Sequence, residues 1–491
     1  MPGLRRRSKI ALARHVWLNG ASAVALLATC AIALPSSAQA ETLRQALTSA
    51  YQSNPRLDAE RAKLRATDEE VSRAESGYRP IVQGSADIGH QQTSTKPVSS
   101  TAGDASPWGY SLSVRQSVFS GFRTSSEVSE AEATVKAGRE NLRQVEAAVL
   151  LESVESYMDV VRDMAIVRIR ESNVDVLSRD LEAAETRRAV KEVTKTDVAQ
   201  ARARHARAIS AADLAKANLK VSRANYERTV GHAPAGVGAP SLKLKQLPRS
   251  IEEAWKTAEL QSPNVNSALF REEAARFAVD KVRGELLPEV NLEASYAYRE
   301  NPNVAFDQQD AASITGRVSV PLYEGGEVRA RVRQAKQTQV ARLQEIEQAR
   351  SETQANVTGA WSRLMAARAQ LKSDTVQVDA GRLALEGVRE EEKVGQRTLL
   401  DVLNAEQEYL DAQVQLVTTR RDLVVANYRV LASMGSLNAE TLELRSEIYD
   451  PEAHFEETRQ NWFGIDIEHA DGRHEVFDAA DLNDDSDDIV E

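Results

Sequence analysis

Two long stretches of this chain contain no proline, positions 108–233 and 322–450. Proline breaks a helix interior at ~3 kcal/mol, so such stretches permit helices far beyond the ~10–14 residues of an ordinary globular helix. They are rich in Ala, Glu, Arg, Gln, Leu and Val, with few glycines. The pattern predicts one helix over 122–188 and a copy over 327–393. Each is followed by a second helix, over 194–229 and 398–433. At 1.5 Å per residue the first of each pair is roughly 100 Å long. A helix of that length needs a coiled coil or a helical barrel around it. Shorter helices are predicted ahead of them, over 43–77 and 251–286.

The two stretches belong to one plan repeated. Thr42-Leu43-Arg44-Gln45-Ala46 returns as Ser250-Ile251-Glu252-Glu253-Ala254, Pro55 as Pro263 and Pro80 as Pro288, all at an offset of 208. Beyond the strands the offset is 204. Val114 and Gly121 match Val318 and Gly325; Asp197-Val198 matches Asp401-Val402; Gly231 matches Gly435. Matches that keep one spacing indicate a tandem duplication. The reading is a first repeat over 41–231, a linker over 232–249, a second repeat over 250–436, and a terminal segment over 437–491.

Each repeat carries two segments of period two. Val82, Gly84, Ala86 and Ile88 alternate with Gln83, Ser85 and Asp87, and Trp108, Tyr110, Leu112 and Val114 with Ser111, Ser113 and Arg115. In the second repeat Val290, Leu292, Ala294, Tyr296 and Tyr298 alternate with Asn291, Glu293, Ser295 and Arg299. Ile314, Val318 and Val320 alternate with Thr315, Arg317 and Ser319. One such segment reads as a half-buried strand of a soluble sheet. Four in matching places, in hairpins over about 82–118 and 290–320, read as membrane strands with a lipid face and a wet face. Trp108, Tyr110, Tyr296 and Tyr298 stand where an aromatic girdle belongs. The segments 91–107 and 300–311 are polar and read as loops.

The first 40 residues read as a leader. Arg5, Arg6, Arg7, Lys9 and Arg14 precede an apolar run over 21–34, and Ala38-Gln39-Ala40 is a cleavage site. A lipoprotein signal cut before Cys30 is the rival reading. Cys30 is the single cysteine, so cleavage after Ala40 leaves no thiol chemistry or disulfide, and no metal site is expected. No cofactor is expected either. The formal charge of −11 is unevenly placed: positions 446–491 hold 16 Asp and Glu against two Arg. The body is near neutral, with no basic face for nucleic acid, and the acidic end reads as disordered.

Four strands cannot close a barrel, and an open sheet edge cannot sit in lipid. The chain must therefore oligomerise. Two copies would give eight strands and a bore largely filled by side chains, three would give twelve.

Three places resemble TolC-type outer membrane factors. One is the repeated opening, Leu43, Ala46, Asn54-Pro55 and Pro80 against Ile251, Ala254, Ser262-Pro263 and Pro288. Another is the strand-to-helix junction, Gln116-Ser117-Val118-Phe119-Ser120-Gly121 and Val320-Pro321-Leu322-Tyr323-Glu324-Gly325-Gly326. The most specific is Val394-Gly395-Gln396-Arg397-Thr398-Leu399-Leu400-Asp401-Val402-Leu403-Asn404-Ala405. The resemblance covers nearly all of 41–444. It implies an α+β membrane protein, a homotrimer in which a long α-helical coiled-coil barrel continues a twelve-stranded transmembrane β-barrel, four strands per protomer. It implies a passive export duct set in outer-membrane lipid and reaching into the periplasm. The duct would be opened by a periplasmic adaptor (a membrane fusion protein) and an inner-membrane transporter of RND or ABC type, in efflux or type I secretion. The sequence does not name the cargo.

The third stretch resembles the family's periplasmic tip. Gly395 can take positive φ between two helices, and the turns Val190-Lys191 and Val394-Gly395 would meet the adaptor. Asp401 and Asn404, three apart, share a helix face that the resemblance places at the pore constriction. Three Asp401 carboxylates would favour cations. The family usually has a second acid at the position of Asn404, so its absence weakens cation block. Lys191 stands at the glycine position of the first tip, which predicts a looser turn there. Thr196 and Asp197 match residues that pair with the arginine of the other tip, so Arg397 with Asp197 and Thr196 forms an implied latch. The alternative is a surface ion pair with no gating role.

Little else carries chemistry. His454, His469 and His474 lie among acids and read as solvated. There is no phosphate-binding loop, no nucleophile elbow and no pair of carboxylates with an enclosing pocket, so no catalytic residue is assigned. A trimeric coiled-coil adhesin also joins a helical stalk to four strands per chain, but its strands end the chain, whereas these are internal. A periplasmic adaptor would carry one helical hairpin, not two.

Overall fold

The computed structural model describes residues 41–94, 103–240, 244, 247–446 and 448–460, with 462, 465, 467, 468, 474 and 475 beyond. The expected leader with Cys30, loop positions 95–102, several linker positions between 241 and 246, His469 and the acidic end 478–491 lie outside the described residues.

The first half runs α1 (Leu43–Ser53), α2 (Pro55–Glu75), β1 (Ile81–Ile88), β2 (Gln91–Thr93), β3 (Gly103–Ala105), β4 (Trp108–Phe119), α3 (Arg123–Ala189) and α4 (Lys195–Val230). The second half runs α5 (Ile251–Gln261), α6 (Pro263–Gly284), β5 (Glu289–Asn303), β6 (Phe306–Ser319), α7 (Glu327–Lys393) and α8 (Leu399–Ser433), and α9 (Ala453–Gln460) follows. The helices α3 and α7 have 67 residues each, roughly 100 Å. Each folds back on its partner as an antiparallel hairpin, α3 on α4 and α7 on α8.

Two expectations about secondary structure need correction. The single helices predicted over 43–77 and 251–286 are each two helices. Pro55 and Pro263 occupy first helical positions, and the residues ahead of them, Asn54 (φ −79°, ψ 117°) and Ser262 (φ −63°, ψ 118°), are extended. Proline clashes with an α-conformation in the residue before it, so a break at that point is local chemistry. Asn54 then caps α2 by accepting from the Arg56 amide at 3.0 Å and ties it down by donating to the Thr229 carbonyl at 3.0 Å. The second correction concerns the polar outer segments. Positions 300–303 and 306–311 are strand, not loop, with Glu300 opposite Gln308 and Asn303 opposite Phe306. In the first half β2 pairs with β3.

The four long strands form one antiparallel sheet in the order β1-β4-β5-β6. The pair β4–β5 joins the two halves of the chain. The register keeps the alternation in phase across the sheet. Ala86 faces Tyr110, Tyr110 faces Tyr298, Leu112 faces Tyr296 and Ala294 faces Ile314. These residues make one continuous apolar face with an aromatic cluster near its outer end. Trp108 and Tyr298 have ring centroids 5.6 Å apart, and Tyr110 and Tyr298 stack at 5.3 Å. The other face is polar. Ser85 and Ser111 hydroxyls meet at 2.8 Å, Ser295 and Ser313 at 2.9 Å, and Arg299 approaches Asp87 at 3.6 Å. Strands β1 and β6 are the edges of the sheet.

The passage from sheet to helix uses two successive left-handed residues in each half, Gly121 (φ +66°) with Phe122 (φ +62°) and Gly325 (φ +63°) with Gly326 (φ +87°). Gly121 also lies against Gly284. A Cβ on Gly121 would stand 2.3 Å from the Gly284 carbonyl oxygen. Arg123, at the start of α3, reaches Glu289 at the start of β5 at 2.8 Å.

The largest apolar core lies where α1, α3, α4, α5, α7 and α8 meet, around Leu47, Leu150, Tyr157, Tyr226, Leu364 and Leu431. The Tyr157 hydroxyl sits 2.7 Å from the carbonyl oxygen of Glu41, the first residue after the expected cleavage site. After Gly435 the chain packs back on this core through Leu437, Ala439, Leu442 and Leu444. The helix α9 was not expected. It docks on α2 through Arg459–Glu75 at 2.9 Å and His454–Asp68 at 3.1 Å. His454 is therefore not a freely solvated side chain: it is partly buried and faces a carboxylate that is wholly buried.

Candidate gate at the helical tip

The far ends of the two hairpins have the same backbone. In the second, Val394 closes α7, Gly395 takes φ +78°, and the Gln396 amide donates to the Glu391 carbonyl at 2.9 Å. In the first, Val190 closes α3, Lys191 takes φ +69°, and the Glu192 amide donates to the Arg187 carbonyl at 2.9 Å. The looser turn expected at Lys191 is not found, because the carbonyl-capping bonds impose one geometry on both turns. Lys191 meets that geometry in a conformation costing an L-residue roughly 1–2 kcal/mol. Lys191→Gly is accordingly expected to raise local stability by about 1 kcal/mol, net of glycine's own entropy. Amide hydrogen exchange of the 186–194 segment measures it, and unchanged or faster exchange would contradict the assigned strain.

Beyond each turn a threonine starts the returning helix with a capping box. The Thr194 hydroxyl accepts from the Asp197 amide at 3.2 Å, and Asp197 accepts from the Thr194 amide at 2.8 Å. Thr398 and Asp401 repeat this at 3.3 and 3.0 Å. The Thr398 amide and hydroxyl hold the Asp401 carboxyl below the usual carboxylate range, and Arg397 adds to the effect. The group therefore stays ionised at neutral and mildly acid pH.

Within one chain the implied latch residues have other partners. The Arg397 guanidinium donates to Glu391 at 2.8 Å, across its own turn. Asp197 is occupied by its cap, and Thr196 is exposed. A latch between the two tips would have to exchange these contacts. Asn404 accepts from Arg204 of α4 at 2.8 Å, so a guanidinium stands beside the position where the family usually has an acid. Arg204 was missed in the sequence, since its partner is 200 residues away. Arg187 binds Glu392 at 2.6 Å and so ties α3 to α7. Val190 and Val394 project from the turns, 64% and 71% exposed, as two like apolar points at the end of the molecule.

The tip thus sets charged groups of two adjacent hairpins, Arg397, Glu391, Arg204 and Asp401, close to the two turns. Among the described residues no group of three His, Cys, Asp or Glu gathers as metal ligands, and no helix is long and apolar enough to cross a membrane.

Comparison with known proteins agrees with this geometry. The family model "Outer membrane efflux protein" matches residues 46–233 and 255–436. The outer membrane efflux protein BepC of Brucella suis biovar 1 is 35% identical over 444 residues, covering 90% of this chain and 96% of that protein. The outer membrane protein TolC of Escherichia coli K12 is 23% identical over 422 residues, covering 82% and 84%. The crystal structure of the Campylobacter jejuni CmeC outer membrane channel shares the fold at a TM-score of 0.74 and 16% identity, covering 85% of this chain and 89% of that one. The adhesin alternative finds no support among these relatives. With both halves matched by the family model and nine-tenths of its length aligned to BepC, this chain belongs to the outer membrane efflux protein family, that of TolC, and is an outer-membrane export channel.

Proposed function

We propose that three copies of this chain close a twelve-stranded β-barrel above one helical duct, and that the duct is the passive exit of a tripartite efflux or type I secretion system. The observation that carries this reading is the open sheet. It is apolar on one face and polar on the other, and both edges, β1 and β6, have no partner strand among the described residues. Such edges are compatible with lipid only when other copies pair with them. The long helices also leave apolar positions for neighbouring helices. Leu214 and Val221 on α4, and Val376 and Leu383 on α7, are exposed in the single chain and spaced one heptad apart, the period of a helix seam. The chain is read as a tandem repeat, with the segments around the linker and after Gly435 forming a collar at mid-height.

At the tip, three Asp401 carboxylates form a cation-preferring ring with Asn404 on the same helix face, and Arg204 moderates its field. Arg397 passes from Glu391 to Asp197 and Thr196 of the facing tip when the entrance closes. Val190, Lys191, Val394 and Gly395 present the contact surface for a periplasmic adaptor, which with an RND or ABC transporter of the inner membrane dilates the entrance. Purified from outer membranes, the protein should run on a gel as a trimer until boiled and should form narrow, cation-preferring pores in a planar bilayer. A soluble monomer without pore activity would overturn the assembly.

A further inference from the structure

A short distance from the tip turns, three helices bring two carboxyl groups together with one guanidinium. Glu406 on α8 is buried, its side chain 6% exposed, and Arg389 on α7 donates to its Oε1. Asp180 on α3 lies beside it, close enough for the two carboxyl groups to interact directly. Oδ2 of Asp180 and Oε2 of Glu406 are both shielded from solvent, and neither has a hydrogen-bond partner among the described residues. The other cations nearby are engaged. Arg187 of α3 holds Glu392 of α7 at 2.6 Å, Arg179 of α3 bonds the Asp175 carbonyl at 3.1 Å, and Arg204 of α4 bonds Asn404. Arg389 is thus the one guanidinium bonded to the pair, on buried Glu406; Arg179 acts on part-buried Asp180 only through its charge, and Glu392 adds a further negative charge toward Asp180.

We propose that Asp180 and Glu406 hold one proton between them, and that this proton keeps α3 packed on α7 and α8 just above the tip. Two like charges forced together in a poorly solvated site do not both ionise. A shared proton supplies a donor between the two carboxyl groups, which the protein atoms leave without one. Burial pushes both carboxyl groups above their ordinary range, and for Glu406 the neighbouring Asp180 adds to the rise, against the pull of Arg389 on both and of Arg179 on Asp180. The sign of the linkage follows. The packed state binds a proton that the separated helices release, so packing is favoured at lower pH and weakens as pH rises through the pair's titration. The released proton goes to water, and the two carboxylates left behind repel across the seam. The pair acts on the helix packing of a single chain, so its test is independent of pore formation.

Hydrogen–deuterium exchange of the full-length protein, with rates corrected for the intrinsic pH dependence of exchange, tests this between pH 5 and 8. In the wild type, protection of the 177–187 and 399–410 segments should fall with rising pH, by up to about tenfold per unit where the packed pair still holds its proton and the separated carboxyls have lost theirs, and should level off above the pair's titration. Glu406→Gln keeps an oxygen for Arg389 and replaces the shared proton with a fixed donor, so it should flatten that slope while leaving protection high. Asp180→Asn should do the same from the other side and serves where Glu406→Gln folds poorly. A pH-independent wild type, or a variant that keeps the wild-type slope, would overturn the proposal. A purely structural role would lower protection in the variants at every pH and leave the slope in place.

Discussion

A Gly121→Ala chain is expected to accumulate almost no heat-sensitive trimer in the outer membrane. The new Cβ would lie 2.3 Å from the Gly284 carbonyl oxygen and 2.9 Å from the Leu287 Cβ, and Gly121 has φ +66°. Backbone on the far side cannot rotate out of the way as a flexible side chain would. Gly284 is equally trapped, its own Cβ position 2.4 Å from the Gly121 oxygen. Relief requires α6 to separate from the start of α3, where Arg123 bonds Glu289. The loss should be about 4 kcal/mol or more, the range of steric lesions with no local escape. Gly326→Ala is the matched control. It has positive φ but nothing within 4 Å of its Cβ position, so it should cost only roughly 1–2 kcal/mol and still give trimer. Equal yields for the two variants would show that the Gly121–Gly284 approach is not what holds the junction.

Arg397→Glu should open the tip. It removes the only bond from Arg397 to Glu391 and places a third acid between Glu391 and Asp401, once per chain and so three times around the proposed ring. Repulsion among these groups favours separation of the hairpins. Single-channel conductance in a planar bilayer should rise by a factor of several, with stronger cation preference. The rise should shrink at high salt, since exposed charges are screened within ~10 Å at 0.1 M. Arg397→Lys keeps the charge and should lie near the wild type. Wild-type conductance in Arg397→Glu would remove Arg397 from gating and leave the channel itself intact.

The long helices were legible because their signal is local. Proline is absent across them, and threonines at 194 and 398 mark where each return helix starts. The sheet was legible because a period of two, kept in four places, survives in a single register of alternating faces. The helix breaks at Pro55 and Pro263 were also written locally but were passed over, although an Asn or Ser before proline is a strong boundary signal. The strands continuing past Glu300 were missed because their residues are polar on both faces, and period two vanishes when neither side is apolar. The tip divides the same way. Its turn was readable at Val394 and Gly395, whereas the caps of Thr194 on Asp197 and Thr398 on Asp401 were passed over, although a threonine three residues before an acid is a local signal. Arg204 on Asn404, and Asp180 beside Glu406, join residues some 200 apart in the chain, and no local pattern announces them. The pairing of His454 with buried Asp68 belongs with these.

The equal length of α3 and α7, 67 residues each, carries a restriction on how such a chain can change over time. Deleting one residue from α3 alone would draw its turn back by ~1.5 Å and swing every later side chain by about 100°. Val190 would leave the level of Val394, and Arg187 would turn away from Glu392. Insertions and deletions can then persist only as paired events, made in both helices and compensated in α4 and α8, and in steps that restore the facing, such as seven or eleven residues. Natural length variants of this architecture should differ by matched multiples in the two halves, whereas point substitutions along the same helices are free to diverge independently.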